Sequence, residues 1–185
     1  MLTAQEAKQR LREGNERYRN ALQPEGDISP AVRRKTAEEG QFPYAVVITC
    51  SDSRVIPEAV FSAGIGELFV VRVAGNVPGI NELGSVEYAA DHLGTKLVVM
   101  LGHTRCGAID SAIKESTGRF VGTFLKDIQL AIGDETDRYK ASCLNFRHGV
   151  ETIRREFGKE SGLSMEGLEI VGAMYHVETG EVEWL

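Results

Sequence analysis

The sequence predicts an α/β fold: a single domain with a central, mostly parallel β-sheet flanked by helices. Three apolar runs, at 44–49, 68–73 and 96–102, have the length and the β-branched residues that are typical of buried strands. Segments with helical patterning separate these runs. Buried strands that alternate with helices form parallel sheets covered on both faces, and 185 residues suit one well-buried domain.

Capping residues and glycines place the remaining elements. Thr3 with Glu6 has the spacing of a capping box, and Ser29-Pro30 puts a serine N-cap before a proline at the first helical position. In chain order, the sequence predicts helices at 3–18, 30–39, 57–61, 81–93 (with Asn81 as its cap and Gly94 at its end), 108–115, 123–132 and 137–157 (ended by Gly158), a loop at 23–27, and further strands at 168–177 and 182–185.

The first helix has few apolar positions, and they are too sparse to cover a full core face. Such a helix is either a loosely packed arm or one that docks on another subunit. We therefore expect one domain over residues 1–185, in which 1–40 form a helical arm and 41–185 form the α/β core.

Charge and composition exclude several classes of partner. The formal net charge is −6 and the pI is near 5.3, which argues against nucleic acid or an anionic membrane as a partner. The sequence shows no signal-peptide pattern and no apolar run of about 20 residues, the length of a membrane span, so we expect a cytoplasmic protein. Three cysteines, an odd number, favour free thiols over a disulfide framework.

Two polar clusters follow predicted strands and indicate one site at the end of the sheet. Cys50-Ser51-Asp52-Ser53-Arg54 follows the first strand, and His103-Thr104-Arg105-Cys106 follows the third. Cys50, His103 and Cys106 offer two sulfurs and one nitrogen, a set suited to tetrahedral zinc with a fourth position open to water or Asp52. Spacing alone leaves three alternatives: catalytic zinc, structural zinc, or a metal-free site such as a thiol redox pair. Cys143, inside a predicted helix, is interpreted as a core residue.

Charge balance bears on the fourth position. Two thiolates already neutralise Zn²⁺, so a bound carboxylate gives the site excess negative charge and leaves no room for water. Arg54 offers Asp52 another partner. We hypothesise that Asp52 either switches between zinc and Arg54 or is held permanently by Arg54, and that activity rises towards alkaline pH.

The two clusters resemble the zinc motifs of the β-class carbonic anhydrases. Arg72 with Ala74-Gly75-Asn76, Gly84 with Glu87-Tyr88-Ala89, and the segment 14–18 are also similar to motifs of that family, so the resemblance covers essentially the whole chain. It implies an enzyme that uses one zinc ion per chain to hydrate CO2 reversibly to bicarbonate and a proton, by attack of zinc-bound hydroxide on CO2. The chain is short for the family after the second motif.

The resemblance also assigns residues to roles. It implies Cys50, His103 and Cys106 as zinc ligands, with Asp52 as a possible fourth ligand, and Asp52 with Arg54 as the catalytic dyad. The residues that it implies for substrate binding are Gln41, Phe69, Ala74, Tyr88 and Gly107. His92 is a candidate proton shuttle, because histidine titrates in the useful range. From the residues alone, Gln41 also fits a solvated loop, His92 a solvated helix position, and Phe69 and Tyr88 the core.

The resemblance further implies a homodimer, or a dimer of dimers, with active sites at the subunit interface. The regulated subgroup of the family builds a bicarbonate site partly on a tryptophan before the first motif, but the single tryptophan here is Trp184. The chain is therefore more similar to the plant-like, permanently open type. Other hypotheses are hydration of another heterocumulene (CS2 or COS), a zinc-bound scaffold without turnover, and a thiol redox sensor. The role of Arg105, inside the second motif, stays open.

Overall fold

The computed structural model describes residues 1–21, 26–159 and 167–185. These residues form seven α-helices, a short 3-10 turn at Ala74–Asn76 and five strands. The helices are α1 Ala4–Asn20, α2 Pro30–Glu39, α3 Pro57–Val60, α4 Ile80–Asp91, α5 Gly107–Ile113, α6 Val121–Ile132 and α7 Arg138–Lys159. The strands are β1 Ala45–Cys50, β2 Leu68–Val73, β3 Leu97–His103, β4 Glu169–Tyr175 and β5 Val182–Trp184.

The strands form one sheet in the order β2-β1-β3-β4-β5, which confirms the predicted α/β fold. The first four strands are parallel, and β5 pairs antiparallel with β4. The register pairs Cys50 with Val73, Thr49 with Leu101, and His103 with Tyr175. Because the four parallel strands end at the same edge of the sheet, the polar clusters that follow β1 and β3 meet there.

Alternate residues of the central strands pack into two different cores, as the two-residue period of a strand requires. One core lies between the sheet and helices α1 and α3, and the other between the sheet and helices α4 and α7. A third apolar cluster joins α5, α6 and the start of α7 to Cys50 and Cys106. This third cluster covers the carboxyl edge of the sheet and buries the thiols.

Helix α1 packs against its own sheet, an arrangement that neither sequence-based alternative described. The predicted capping box is present, and Ala7 and Leu11 are fully buried. Asn15 is buried as well: its amide donates to the carbonyl oxygens of Val60 (3.1 Å) and Gly180 (2.8 Å), and its oxygen accepts from the Val182 N–H (3.0 Å). A few small apolar residues and one hydrogen-bonded amide therefore suffice to dock a helix whose pattern looked too sparse.

Two residues that were predicted to mark helix ends lie inside helices. Asn81 lies inside α4, because the helix begins one residue earlier, where the Glu82 carboxylate accepts the Gly79 N–H at 3.0 Å. Gly158 lies within α7, which extends to Lys159, since a helix tolerates one glycine at a cost of about 1 kcal/mol. Residues 23–25 of the predicted loop lie outside the described residues. None of the helices that the structure describes is long and apolar enough to cross a bilayer.

Candidate metal centre and active site

The three predicted metal ligands meet at the carboxyl edge of the sheet. Cys50 is the last residue of β1, and His103 is the last residue of the neighbouring strand β3. Cys106 is the N-cap of α5 and directly follows the two-residue turn after β3. The ligand atoms of these three residues all lie within 4.8 Å of one another, and all three residues are buried.

The geometry of the group fits zinc. The Cys50 and Cys106 Sγ atoms are 4.0 Å apart, close to the separation of about 3.8 Å that two Zn–S bonds of about 2.3 Å give at a tetrahedral angle. His103 Nδ1 lies 2.9 Å from the Thr104 carbonyl oxygen, so Nδ1 carries the proton and Nε2 has a free lone pair. Nε2 is buried without a hydrogen-bond partner, which is costly unless a cation binds there.

The surroundings of the thiols favour a thiolate. A hydrogen bond from Cys106, and weaker ones from the backbone N–H groups of Asp52 and Gly75, lower the pKa of Cys50 against the opposing effect of burial. Cys106 donates to that thiolate, and this bond together with burial raises the pKa of Cys106. The pKa values of the two cysteines therefore move in opposite directions. A bound dication would balance two thiolates, so both cysteines could then be deprotonated.

Gly75 supplies one of those N–H groups from the turn after β2. Its φ of +68° lies in the left-handed region that suits glycine, and a Cβ there would lie 2.6 Å from the Ile128 side chain. Asn145 of α7 donates to the Gly75 carbonyl oxygen at 2.9 Å and fixes this turn. Ala74 immediately precedes Gly75, and Gly107 immediately follows Cys106, so both of these predicted residues lie beside the metal ligands.

Arg54 holds Asp52 in a bidentate pair. Arg54 Nε lies 2.9 Å from Oδ1 and Nη2 lies 2.7 Å from Oδ2, while the Arg54 backbone N–H also donates to Oδ1 at 3.0 Å. These bonds outweigh partial burial and hold the pKa of Asp52 well below its usual range. Both carboxylate oxygens are thus turned to Arg54, which matches one of the two hypotheses for Asp52, that of a carboxylate held by Arg54.

Further polar contacts hold the backbone around the dyad, and the sequence analysis did not predict them. Arg72 Nη2 donates to the Asp52 carbonyl oxygen at 2.8 Å. Arg54 Nη2 also donates to the Arg105 carbonyl oxygen at 3.0 Å, and the Arg105 side chain is paired with Glu178. The Arg105 guanidinium is therefore directed to the β4–β5 turn. A partner 73 residues away leaves no local signal in the sequence.

Comparison with known proteins identifies the family. The sequence profile of the family described as "Carbonic anhydrase" matches residues 45–182 of this chain. The chain belongs to the β-class carbonic anhydrase family. It is 34% identical over 181 residues to carbonic anhydrase 2 of Mycobacterium tuberculosis, an alignment that covers 92% of this chain and 87% of the relative. It is also 35% identical to a carbonic anhydrase of Mycolicibacterium smegmatis, with 94% and 89% coverage.

The fold agrees with solved structures of β-class carbonic anhydrases. A tetrameric β-carbonic anhydrase of Sordaria macrospora superposes with a TM-score of 0.68 and 27% identity, over 85% of this chain and 87% of that one. The β-carbonic anhydrase CafA of Aspergillus fumigatus gives a TM-score of 0.70 and 25% identity, over 84% and 81%. The chain is thus a carbonic anhydrase by family, and the Cys50, His103 and Cys106 group is where such an enzyme can hold its metal.

Four other predicted site residues lie at the opposite edge of the sheet. Gln41 is exposed and precedes β1. Phe69 is the second residue of β2, its ring centroid 6.2 Å from that of Tyr88, which in turn lies 5.1 Å from that of His92 at the end of α4. From its first residue to Cys50, β1 rises about 17 Å. Within one chain these four residues are therefore separated from the metal ligands by the length of the sheet.

These four residues, at the amino ends of the strands, are also more exposed than core residues. Tyr88 is 47% exposed and Phe69 is partly buried, so Tyr88 does not fit the alternative that placed both in the core. Cys143 is buried in α7, as predicted, and all three cysteines are free thiols.

Proposed function

We propose that this protein catalyses the zinc-dependent, reversible hydration of CO2 to bicarbonate and a proton. The observation on which the proposal depends is the buried Cys50, His103 and Cys106 group, with His103 Nε2 turned inward and without a partner. A structural zinc site normally has four protein ligands, whereas three protein ligands leave one position for chemistry. Zinc, when bound, supplies the acidification of water that makes it a nucleophile near neutral pH.

In this proposal Asp52 acts as a fixed carboxylate beside the metal. Its low pKa keeps it ionised throughout the physiological range, so it accepts a hydrogen bond and does not donate one. Arg54 occupies both carboxylate oxygens and so keeps Asp52 from closing the fourth metal position. This arrangement supports the permanently open type of site, with Ala74 and Gly107 lining the substrate's approach.

We further propose that a second copy of the chain completes the site. Gln41, Phe69 and Tyr88 cannot reach the metal ligands of their own chain, yet they suit CO2: two rings offer an apolar surface and the amide can donate to a developing anion. Tyr88 is exposed, and β2 is an edge strand. In a homodimer, or a dimer of dimers, the exposed Tyr88 and the edge strand β2 would lie at the interface. The interface would then bring these three residues to the carboxyl ends of the partner's strands. His92 beside Tyr88 is then placed to pass the proton to solvent.

We also propose a cytoplasmic location, because the Cys50 and Cys106 thiols, and a metal bound to them, would be best preserved in a reducing compartment. The acidic net charge suits a partner list limited to small molecules and further copies of the chain.

The proposal is tested by stopped-flow measurement of CO2 hydration with zinc-replete protein at mildly alkaline pH. We expect turnover far above the buffer blank, and one zinc per chain. Cys50→Ser should lose both, because it removes a thiolate ligand. Cys143→Ser is the matched control, since it changes a buried cysteine outside the metal group and should keep the metal.

A zinc-loaded protein without CO2 turnover would contradict the proposed reaction. The same preparation should then be assayed with CS2 and COS, since turnover of either would identify a different heterocumulene as substrate. No turnover with any of the three would indicate a zinc-bound protein without catalysis, and loss of metal on mild oxidation with no turnover would indicate a redox sensor.

A further inference from the structure

The turn between β4 and β5 is hydrogen-bonded to the loop that joins His103 and Cys106. Thr104 Oγ1 accepts the Val177 N–H at 3.0 Å and donates to Glu178 Oε2 at 2.9 Å. Arg105 Nε donates to the other Glu178 carboxylate oxygen. One glutamate thus holds two consecutive side chains, both of which lie between His103 and Cys106 in the sequence.

These hydrogen bonds stabilise a loop whose backbone is strained at one residue. Arg105 has a φ of +57°, a left-handed conformation that is unfavourable for a residue with a Cβ. The conformation has a consequence for the dyad, since the Arg105 carbonyl oxygen accepts the Arg54 Nη2 hydrogen bond at 3.0 Å. The strained residue therefore presents the acceptor that fixes the far end of the Arg54 guanidinium.

Arg54 depends on this third contact for its orientation. Its side chain is 46% exposed, and a long cation at that exposure pays side-chain entropy to stay in one rotamer. Asp52 lies only two residues from Arg54 in the same loop, so their side-chain pair does not link the guanidinium to another element. The Arg105 carbonyl oxygen links the pair to the turn after β3, between His103 and Cys106.

We infer that Glu178 is a positioning residue: by holding Thr104 and Arg105, it fixes the carbonyl oxygen that keeps Arg54, and through it Asp52, in place beside the metal. This inference rests on the proposed function for its effect on turnover, but the contacts that it describes can be tested separately. It also gives Arg105 a role: its side chain holds the loop by pairing with Glu178 on the β4–β5 turn.

The turn itself does not require Glu178 in order to fold. Asn15 of α1 holds the turn from beneath through the Gly180 carbonyl oxygen and the Val182 N–H, and the His176 N–H donates to the Glu181 carbonyl oxygen at 2.8 Å. We therefore expect Glu178→Ala to fold and to bind zinc. Glu181→Ala is the matched control, because its exposed carboxylate is on the same turn and faces Arg19 on α1, 3.9 Å away.

The experiment compares these variants in the zinc-loaded protein. Glu178→Ala should lower kcat about tenfold, the typical effect of removing a group that orients an active-site side chain, with KM and zinc content unchanged. Arg105→Gln removes the other partner of the Arg105–Glu178 pair and should show the same loss of kcat. This second variant keeps the test valid if one variant folds poorly. Glu181→Ala should match the unmodified protein.

A second readout needs no turnover. The Arg54 Nε–H resonance should exchange with solvent at least about tenfold faster in Glu178→Ala than in Glu181→Ala, because the guanidinium loses its fixed orientation. Equal exchange rates, or an unchanged kcat in an active enzyme, overturn the inference. If the unmodified zinc-loaded protein does not hydrate CO2, the proposed function fails, and the Arg54 exchange rates alone decide the role of Glu178.

Discussion

The two ends of the parallel strands, called here the carboxyl edge and the amino edge of the sheet, differ. A single chain forms the whole metal-ligand group at the carboxyl edge, but it does not form a complete site at the amino edge. At the carboxyl edge, Cys50, His103 and Cys106 are buried and within ligand distance of one another, and Arg54 holds Asp52 with three hydrogen bonds. The amino edge carries an exposed glutamine and a row of aromatic rings. These rings contact each other, but they do not contact the metal ligands of their own chain.

The difference follows from how closely the residues of each group must approach one another. Metal ligands must converge to within a few ångströms, so they arise on neighbouring strand ends that the sheet itself aligns. Substrate-lining residues need only reach the finished site, and a second subunit can supply them. In the proposed dimer the amino ends of the strands would lie at the interface, and substitutions at the two ends should then behave differently.

The largest effect is expected at the carboxyl edge, from Arg54→Ala. Without the guanidinium, Asp52 is free to take the fourth metal position, and we expect a loss of CO2 hydration of about 10²- to 10⁴-fold while zinc stays bound. Stopped-flow rates with metal analysis check this. Arg119→Ala, which removes an exposed arginine on another loop, is the control. Full activity in Arg54→Ala would show that the pair plays no part in the reaction.

Acid stability tests the same pair independently of turnover. Arg54 lowers the pKa of Asp52 in the folded protein, so the pair stabilises the fold above the unfolded pKa of about 3.9 and loses this contribution as the pH falls below it. Arg54→Ala should consequently unfold at a slightly higher pH in an acid titration followed by circular dichroism. A midpoint that moves to lower pH would contradict the sign of this effect.

A smaller effect is expected at the amino edge, from Gln41→Ala. Removing one amide that stabilises developing charge typically lowers kcat by about 10²- to 10³-fold, and the lower end suits a residue that a second subunit contributes. Zinc content and thermal stability should not change, because Gln41 is exposed in the single chain. Gln5→Ala, an exposed glutamine on α1, is the matched control. An unchanged kcat would remove Gln41 from the site.

The smallest effect is expected from His92→Ala. If His92 passes the proton to solvent, its loss should lower kcat by roughly tenfold in dilute buffer and leave kcat/KM unchanged, because proton release follows the chemical step. Added imidazole should restore the rate. His148→Ala is the control, since it removes an exposed histidine on a different helix, α7. A fall in kcat/KM, or no rescue, would argue against a shuttle.

The sequence predicted the parts of this molecule that depend on local patterning. Strand ends, the Thr3 and Glu6 capping box and the two metal-ligand clusters all follow from residues close together in the chain. Sheet topology then brings Cys50 and His103 together, because the carboxyl ends of adjacent parallel strands share an edge. For these features, local chemistry and one topological rule are enough.

Contacts between distant segments could not be predicted in the same way. Asn15 docks α1 on the β4–β5 turn, and Glu178 holds Arg105 across 73 residues, but both look like ordinary polar positions in the sequence. The left-handed φ of Arg105 gave no signal either, since arginine is not a residue that indicates such a conformation.

The most direct test of the account is complementation between two inactive subunits. Cys50→Ser chains and Gln41→Ala chains, co-expressed with different tags and purified as mixed dimers, combine one intact metal group with one intact Gln41 across the interface. We predict about half the wild-type CO2 hydration rate, because each mixed dimer then holds one complete site out of two. Activity no higher than the average of the two parent dimers would show that each site is built from a single chain and would contradict the account.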